Sequence, residues 1–290
     1  MTFDIRYQEA SLLTGRPWVA DALTKAMRQG LVSLMRNDGT KVPISTRSAL
    51  RDRRLLSDNQ TLTDLGTAVA LLSVPLREQC ERIGIAFEEV ELGGDVKPEK
   101  RALTWARLDG WQGAACEGGT LFTLMKAAAL PALIRRAHRD PLIGHLANST
   151  ACSAYLEAQL QGGDPHEVAE EIRHATSAGV RKAFASIYRG YIVEQFPGLT
   201  ADLMAALFQA LGGELLAKLV LAIGSDPYRY RKGWPDLTLV RGGVVRFVEV
   251  KTSDRLHASQ LITIPFIART LGKERFSVVQ LQRTLTTKGR

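Results

Sequence analysis

The sequence predicts an α/β protein with a central mixed sheet, a large helical insertion and a separate helical unit ahead of them. Three observations carry that expectation. The last 60 or so residues switch to strand periodicity, with two apolar runs flanking Gly242-Gly243. Residues from about 113 to 223 repeat apolar positions at helical spacing, interrupted at Gly162-Gly163-Asp164-Pro165. Residues from about 17 to 75 form a shorter, arginine-rich helical pattern. A chain of 290 residues is long enough for one large domain or two smaller ones. The expected division is an amino-terminal unit over 1–80, a linker over 81–112, and the sheet with its insertion over 113–290.

Composition narrows the function classes only a little. Lys and Arg total 38 against 30 Asp and Glu, a formal charge of +8. Such a surplus suits a polyanionic partner, but charge alone does not separate that case from a basic protein with none. Cys80, Cys116 and Cys152 lie far apart, which indicates neither a zinc ribbon nor a disulfide framework and fits a reducing cytoplasm. The five histidines show no zinc-ligand spacing. The first ten residues lack the apolar core of a signal peptide. The apolar stretch 120–134 carries Lys126 and Pro131 and is too short to span a bilayer. It reads as a buried helix that bends or breaks at the proline, so no membrane partner is expected.

In the amino-terminal unit, Pro17 opens a helical segment and a turn-rich stretch follows at 37–39. Thr46 is a candidate cap for one helix, and Thr63 or Asp64 for another. A helix bearing Arg47, Arg51, Arg53 and Arg54, then a turn and a further helix, is similar to a winged helix-turn-helix. In such units a basic helix meets the duplex. The alternative is a solvated arginine-rich helix in a protein-docking module. Residues 86–112, with their clustered charge, Gly pair and Pro, read as a linker or surface excursion.

The chemistry lies in the late hairpin. With Gly242 and Gly243 as turn centre, Arg241 pairs with Val244, and the register sets Asp236 opposite Glu249. Two carboxylates across a ladder repel unless something positive lies between them; a divalent cation is the simplest such group. Side chains alternate along a strand, so Glu249 and Lys251 share a face that Val248 and Val250 avoid. Carboxylates suit a hard ion such as Mg²⁺ or Mn²⁺, and an adjacent ammonium suits the charge that develops in phosphodiester hydrolysis. Just before the hairpin, Tyr228, Arg229, Tyr230, Arg231 and Lys232 place cations and aromatics at the mouth of the expected site. The arginines and lysine are expected to neutralise phosphates and the tyrosines to stack on bases. Downstream, His257 to Leu271 reads as a helix kinked or divided by Pro265, and Phe276 to Leu281 as a further strand.

The run Pro235-Asp236, then Glu249-Val250-Lys251, resembles the PD-(D/E)xK nuclease signature. The fuller run from Gly233 to Gln260, including Asp254-Arg255-Leu256, is similar to the virus-type replication-repair nuclease (VRR-NUC) domain. Upstream, Cys116 to Leu124 is similar to the Glu-Gly helix start of Fanconi-associated nucleases, and Gly212 to Ala217 to their Gly-Gly helix. The resemblance implies a restriction-endonuclease-like core, metal ligation by Asp236, Glu249 and the Val250 carbonyl, and Glu117 as the remaining acid, with Glu194 and Glu214 as competitors. It also implies structure-specific cutting of flapped or branched DNA in repair or replication. The sequence departs from the pattern in two ways: it is much shorter than typical Fanconi-associated nucleases, and it reads Lys251-Thr252-Ser253-Asp254 where they have Lys-Gly-Pro-x-Asp. Alternatives are a dimeric Holliday-junction resolvase, a phage-defence nuclease or a non-catalytic DNA-binding regulator. A monomer fits flap cutting and a homodimer fits resolution.

Overall fold

The computed structural model describes residues 23–38 and 40–282. The expected helix start at Pro17 lies outside them. The amino-terminal helices are α1 (Lys25–Arg36), α2 (Ile44–Asp52), α3 (Asp64–Leu71) and α4 (Leu76–Ile83). Their ends follow local chemistry: the Thr24 side chain accepts from the Met27 N–H, and Thr63 from Gly66. Thr46 is not a cap; α2 starts two residues earlier, behind Pro43, whose fixed φ suits a helix entry. Leu31, Leu50, Leu55 and Val69 close a small core of their own.

The stretch expected as a linker holds strand β1 (Ala86–Glu91) and helix α5 (Pro98–Leu108). Its charge misled the sequence reading because β1 lies at the sheet edge, where only Phe87 and Val90 turn inward. Strands β2 (Gln112–Ala114), β3 (Leu237–Arg241), β4 (Val244–Lys251) and β5 (Phe276–Gln282) complete a five-stranded mixed sheet in the order β1-β5-β4-β3-β2. β1, β5 and β4 run parallel, while β3 is antiparallel to both β4 and β2. The hairpin register is the expected one, from Arg241 opposite Val244 to Leu237 opposite Val248. Gly242 and Gly243 both take positive φ, as a two-residue turn of this hand requires.

Between β2 and β3 runs the helical insertion: α6 (Gly119–Arg139), α7 (Ala147–Ser153), α8 (Leu156–Gln161), α9 (Pro165–His174), α10 (Ser177–Ile187), α11 (Tyr191–Gln195), α12 (Ala201–Leu211) and α13 (Gly213–Gly224). α6 is unbroken through Pro131, whose side chain faces solvent while both flanks are buried. The packing of two buried turns on either side outweighs the one lost hydrogen bond. Helix α14 (Ala258–Leu271) likewise continues through Pro265. Among the described residues no single helix is long and apolar enough to cross a membrane.

The two sheet faces divide by parity. Val245 and Phe247 join the main core with the insertion helices and α14, whereas Leu237, Leu239, Val248 and Val250 pack with α5 and Trp111. Glu249 and Lys251 therefore continue the Val245–Phe247 face, and Asp236 continues the face of Thr238 and Val240. All three point to the side where α6 and α14 begin.

Candidate active site

The segment before β3 is drawn tight against its neighbours. Gly233 takes φ +84°, and a β-carbon there would lie 2.3 Å from the Ser259 carbonyl, so only glycine lets the loop pass the start of α14. Trp234 is buried, donates through Nε1 to the Tyr230 carbonyl at 2.6 Å, and stands edge-on to Phe122 with ring centroids 5.3 Å apart. Gly118 accommodates that indole, since a β-carbon would meet it at 2.7 Å. One aromatic side chain thus locks the Pro235-Asp236 corner to the entry of α6.

Asp236 sits just ahead of β3, and its Oδ2 accepts the Val250 N–H at 2.8 Å. Its own carbonyl accepts the Glu117 N–H at 3.2 Å. Glu249 is 1% exposed and Lys251 5%. The Lys251 Nζ lies 3.0 Å from Glu249 Oε1 and 3.3 Å from Asp254 Oδ2. Gln260 Nε2 also donates to Glu249 Oε1, at 2.5 Å, while Gln260 Oε1 accepts from the His257 N–H at 2.9 Å. That second bond fixes the amide so that its NH₂ group faces the carboxylate. Glu249 Oε2 is buried with no hydrogen-bond partner, an expensive state for a carboxylate oxygen.

The electrostatics follow from this crowding. Burial, then the nearby Asp236 charge, pushes Glu249 up to about 8 despite Lys251 and Gln260. Burial pushes Asp236 up to about 6, opposed by the Val250 N–H bond and aided by the charges of Glu99 and Glu117. Burial works against the Lys251 charge as well, but Glu249 and Asp254 outweigh it and hold the ammonium above the ordinary lysine value. Two acids are held close to the point where both resist ionisation, with one cation beside them.

Glu117 is exposed, two residues before α6 begins, so it precedes the helix rather than opening it. Its φ of +46° is left-handed, which a non-glycine residue adopts at a cost of about 1–2 kcal/mol. Its charge reaches Asp236. Glu117→Gly is expected to leave the thermal midpoint unchanged or raise it by a degree or two, because the strain disappears, while the DNA cleavage expected from the sequence falls. A clear drop in the midpoint would mean that the carboxylate is held for stability instead.

The other expected residues are spread out. Arg51 and Arg54 are exposed on the amino-terminal unit, whereas half-buried Arg47 and Arg53 donate to the carbonyls of Val42 and Ala49. Arg231 pairs with Glu157 at 3.2 Å, Lys232 is exposed, and Arg229 lies half-buried over the Tyr230 ring. Tyr230 itself is buried and stacked on Phe266 with centroids 3.7 Å apart, which removes it as a platform for bases. Tyr228 is half exposed. Glu194 is exposed on α11, and Glu214 pairs with Arg173 at 3.5 Å on the insertion.

Further contacts lie outside the expected site residues. Asp254 and Gln260, marked in the sequence only as positions of the run similar to the VRR-NUC domain, act on Lys251 and Glu249 directly. Buried Gln79 on α4 accepts the Leu256 N–H at 2.8 Å and donates to the Leu71 carbonyl at 2.8 Å, while Arg255 donates to the Leu72 carbonyl at 3.1 Å. Together they fasten the Asp254-Arg255-Leu256 loop to the amino-terminal helices. Nothing local in the sequence marks a glutamine 177 residues away as a partner.

Carboxylate oxygens and a peptide carbonyl are hard donors of the kind Mg²⁺ and Mn²⁺ take, and the unpartnered Glu249 oxygen is the orphan such an ion would satisfy. Among the described residues no three His, Cys, Asp or Glu side chains already converge tightly enough to hold an ion by themselves.

No family model and no curated protein matches the sequence. Solved structures do. A crystal structure of paFAN1 bound to DNA with a two-nucleotide 5′ flap and a gap matches over 97% of this chain and 53% of that one, at TM-score 0.51 and 16% identity. A second paFAN1 structure, with a one-nucleotide 5′ flap, matches over the same shares at TM-score 0.45 and 18% identity. The chain spans about half the length of the solved structures it matches, and its mixed α/β fold, a five-stranded sheet among many helices, is similar to that of the first of them.

Proposed function

We propose that this protein is a metal-dependent, structure-specific DNA nuclease with a PD-(D/E)xK core. Asp236, Glu249, Glu117 and the Val250 carbonyl would hold Mg²⁺ or Mn²⁺, which when bound polarises the phosphoryl oxygen and makes water a better nucleophile. The observation that carries the reading is the buried Glu249–Lys251 pair beside Asp236, with one Glu249 oxygen left unpartnered. Gln260 fixes the rotation of Glu249, and the Val250 N–H fixes that of Asp236. Lys251, anchored between Glu249 and Asp254, keeps an ammonium where negative charge develops on the phosphate and orients the attacking water.

The paFAN1 structure whose fold is shared holds flapped DNA, which supports flapped or branched DNA as the substrate. The surplus of cations is in keeping with that. The exposed Arg51 and Arg54, on a unit of winged-helix type, and Lys232 would follow the duplex backbone. We place the protein in the cytoplasm, acting in repair or replication.

The test is the purified protein on labelled flap, junction and linear DNA with Mg²⁺, with Mn²⁺ and with chelator. Cleavage of flapped or branched DNA that needs the ion is expected. Absence of cleavage on every substrate with both ions would overturn the reading in favour of a non-catalytic DNA-binding protein.

A further inference from the structure

A cavity of about 370 Å³ opens between the entry of α6, α8 and α11, and Glu117 lies on its wall. Glu117 thus belongs both to this cavity and to the acid cluster, since its N–H donates to the Asp236 carbonyl at 3.2 Å. The volume falls within the range of small-molecule sites, about 300–1,000 Å³. Its lining is mixed. Phe122, Tyr155 and Phe196 contribute ring surface, and Gln195 contributes an amide whose oxygen accepts the Tyr155 hydroxyl at 2.6 Å.

The charges decide the ligand class. Arg231 is committed to buried Glu157 at 3.2 Å and lies 5.6 Å over the Tyr155 ring. Buried Lys126 donates to the Cys152 and Ala154 carbonyls, each at 2.6 Å. Both cations are already engaged, Arg231 with Glu157 itself, and Glu117 adds a further negative charge to the wall, so the cavity does not suit a phosphate. Aromatic faces with a few oriented hydrogen-bonding groups suit a flat, neutral, polar ring. Enzymes that extrude a base into a pocket read it by such stacking and hydrogen bonding.

We infer that this cavity takes the nucleobase of an unpaired nucleotide next to the phosphate that is cut. The inference rests on the nuclease reading and adds to it a physical reason for acting on branched DNA: a fully paired duplex offers no free base to fill the cavity.

The test uses the full chain in chelator, with duplexes whose overhang carries an abasic site at each of its first nucleotides in turn. At one position the parent's affinity is expected to fall about tenfold, the scale of one base–aromatic stack. Tyr155→Ala should lose about as much on the intact substrate and nothing further on that abasic one, while Tyr155→Phe, which keeps the ring and gives up only the hydroxyl bond to Gln195, loses clearly less. Gln195→Ala changes an exposed side chain and should weaken only the substrates that carry the base. A fluorescent 2-aminopurine at that position should change its emission on binding the parent and not on binding Tyr155→Ala. Equal parental affinity for abasic and intact overhangs at every position would overturn the inference, even if the protein cuts DNA. Base-dependent binding without cleavage would uphold the pocket and sink the nuclease reading alone.

Discussion

Asp236→Asn is expected to reduce DNA cleavage about 10²–10³-fold, the scale seen when one group that stabilises developing charge is removed, with the fold intact. The amide oxygen that replaces Oδ2 still accepts the Val250 N–H, so the corner before β3 keeps its shape. What disappears is the negative charge that the proposed metal site needs to hold a dication. Lys251→Ala should lose activity on the same scale for a different reason, because it removes the ammonium that sits 3.0 Å from Glu249. This second variant also leaves a buried acid without its cation, which destabilises, so thermal midpoints must be measured beside initial rates. If Asp236→Asn cuts flapped DNA as fast as the parent, the assignment of the site fails.

A metal-free sample is expected to lose stability as pH rises from about 5 to about 8. Asp236 and Glu249 start from ordinary values of 3.8 and 4.5 and are pushed up to about 6 and about 8 in the folded protein. Between those limits the folded chain holds protons that the unfolded chain has released. The stabilisation is complete below about pH 4 and is lost as pH climbs through about 6 and then about 8. An effect of about 2 kcal/mol or more follows from shifts of this kind, which lowers the midpoint of a chain this size by about 5 °C. Scanning calorimetry in chelator between pH 5 and 8.5 measures it. Glu249→Gln should flatten the upper half of the profile, and Mg²⁺ or Mn²⁺ should restore the midpoint at pH 8, because a cation favours the ionised acids. Identical profiles for parent and Glu249→Gln would contradict the buried acid pair.

Local rules made the hairpin legible. Its two glycines specify the turn, the turn specifies the register, and the period of two then places Asp236, Glu249 and Lys251 on one face without any knowledge of the rest of the molecule. The same rules failed at 86–91, and at the two helix prolines they did not decide that the helix runs on unbroken. In each case the deciding energy came from distant packing: β1 is a strand because β5 offers it a parallel edge, and α6 runs past Pro131 because its flanks are buried against other helices. Tyr230 failed as a base platform for a similar reason, since its ring is taken by Phe266 from α14.

The sequence by itself determined which side chains share the proposed catalytic face, because strand alternation and a two-residue turn are short-range geometry. Only the tertiary structure decided how those side chains are held. Gln260, Asp254, Trp234 and Gln79 reach their partners across separate elements, and the burial that drives both acids upward exists only once α6, α14 and the sheet have closed over them. Charge state and orientation depend on the dielectric and the neighbours that the whole fold brings together, and no spacing along the chain encodes those.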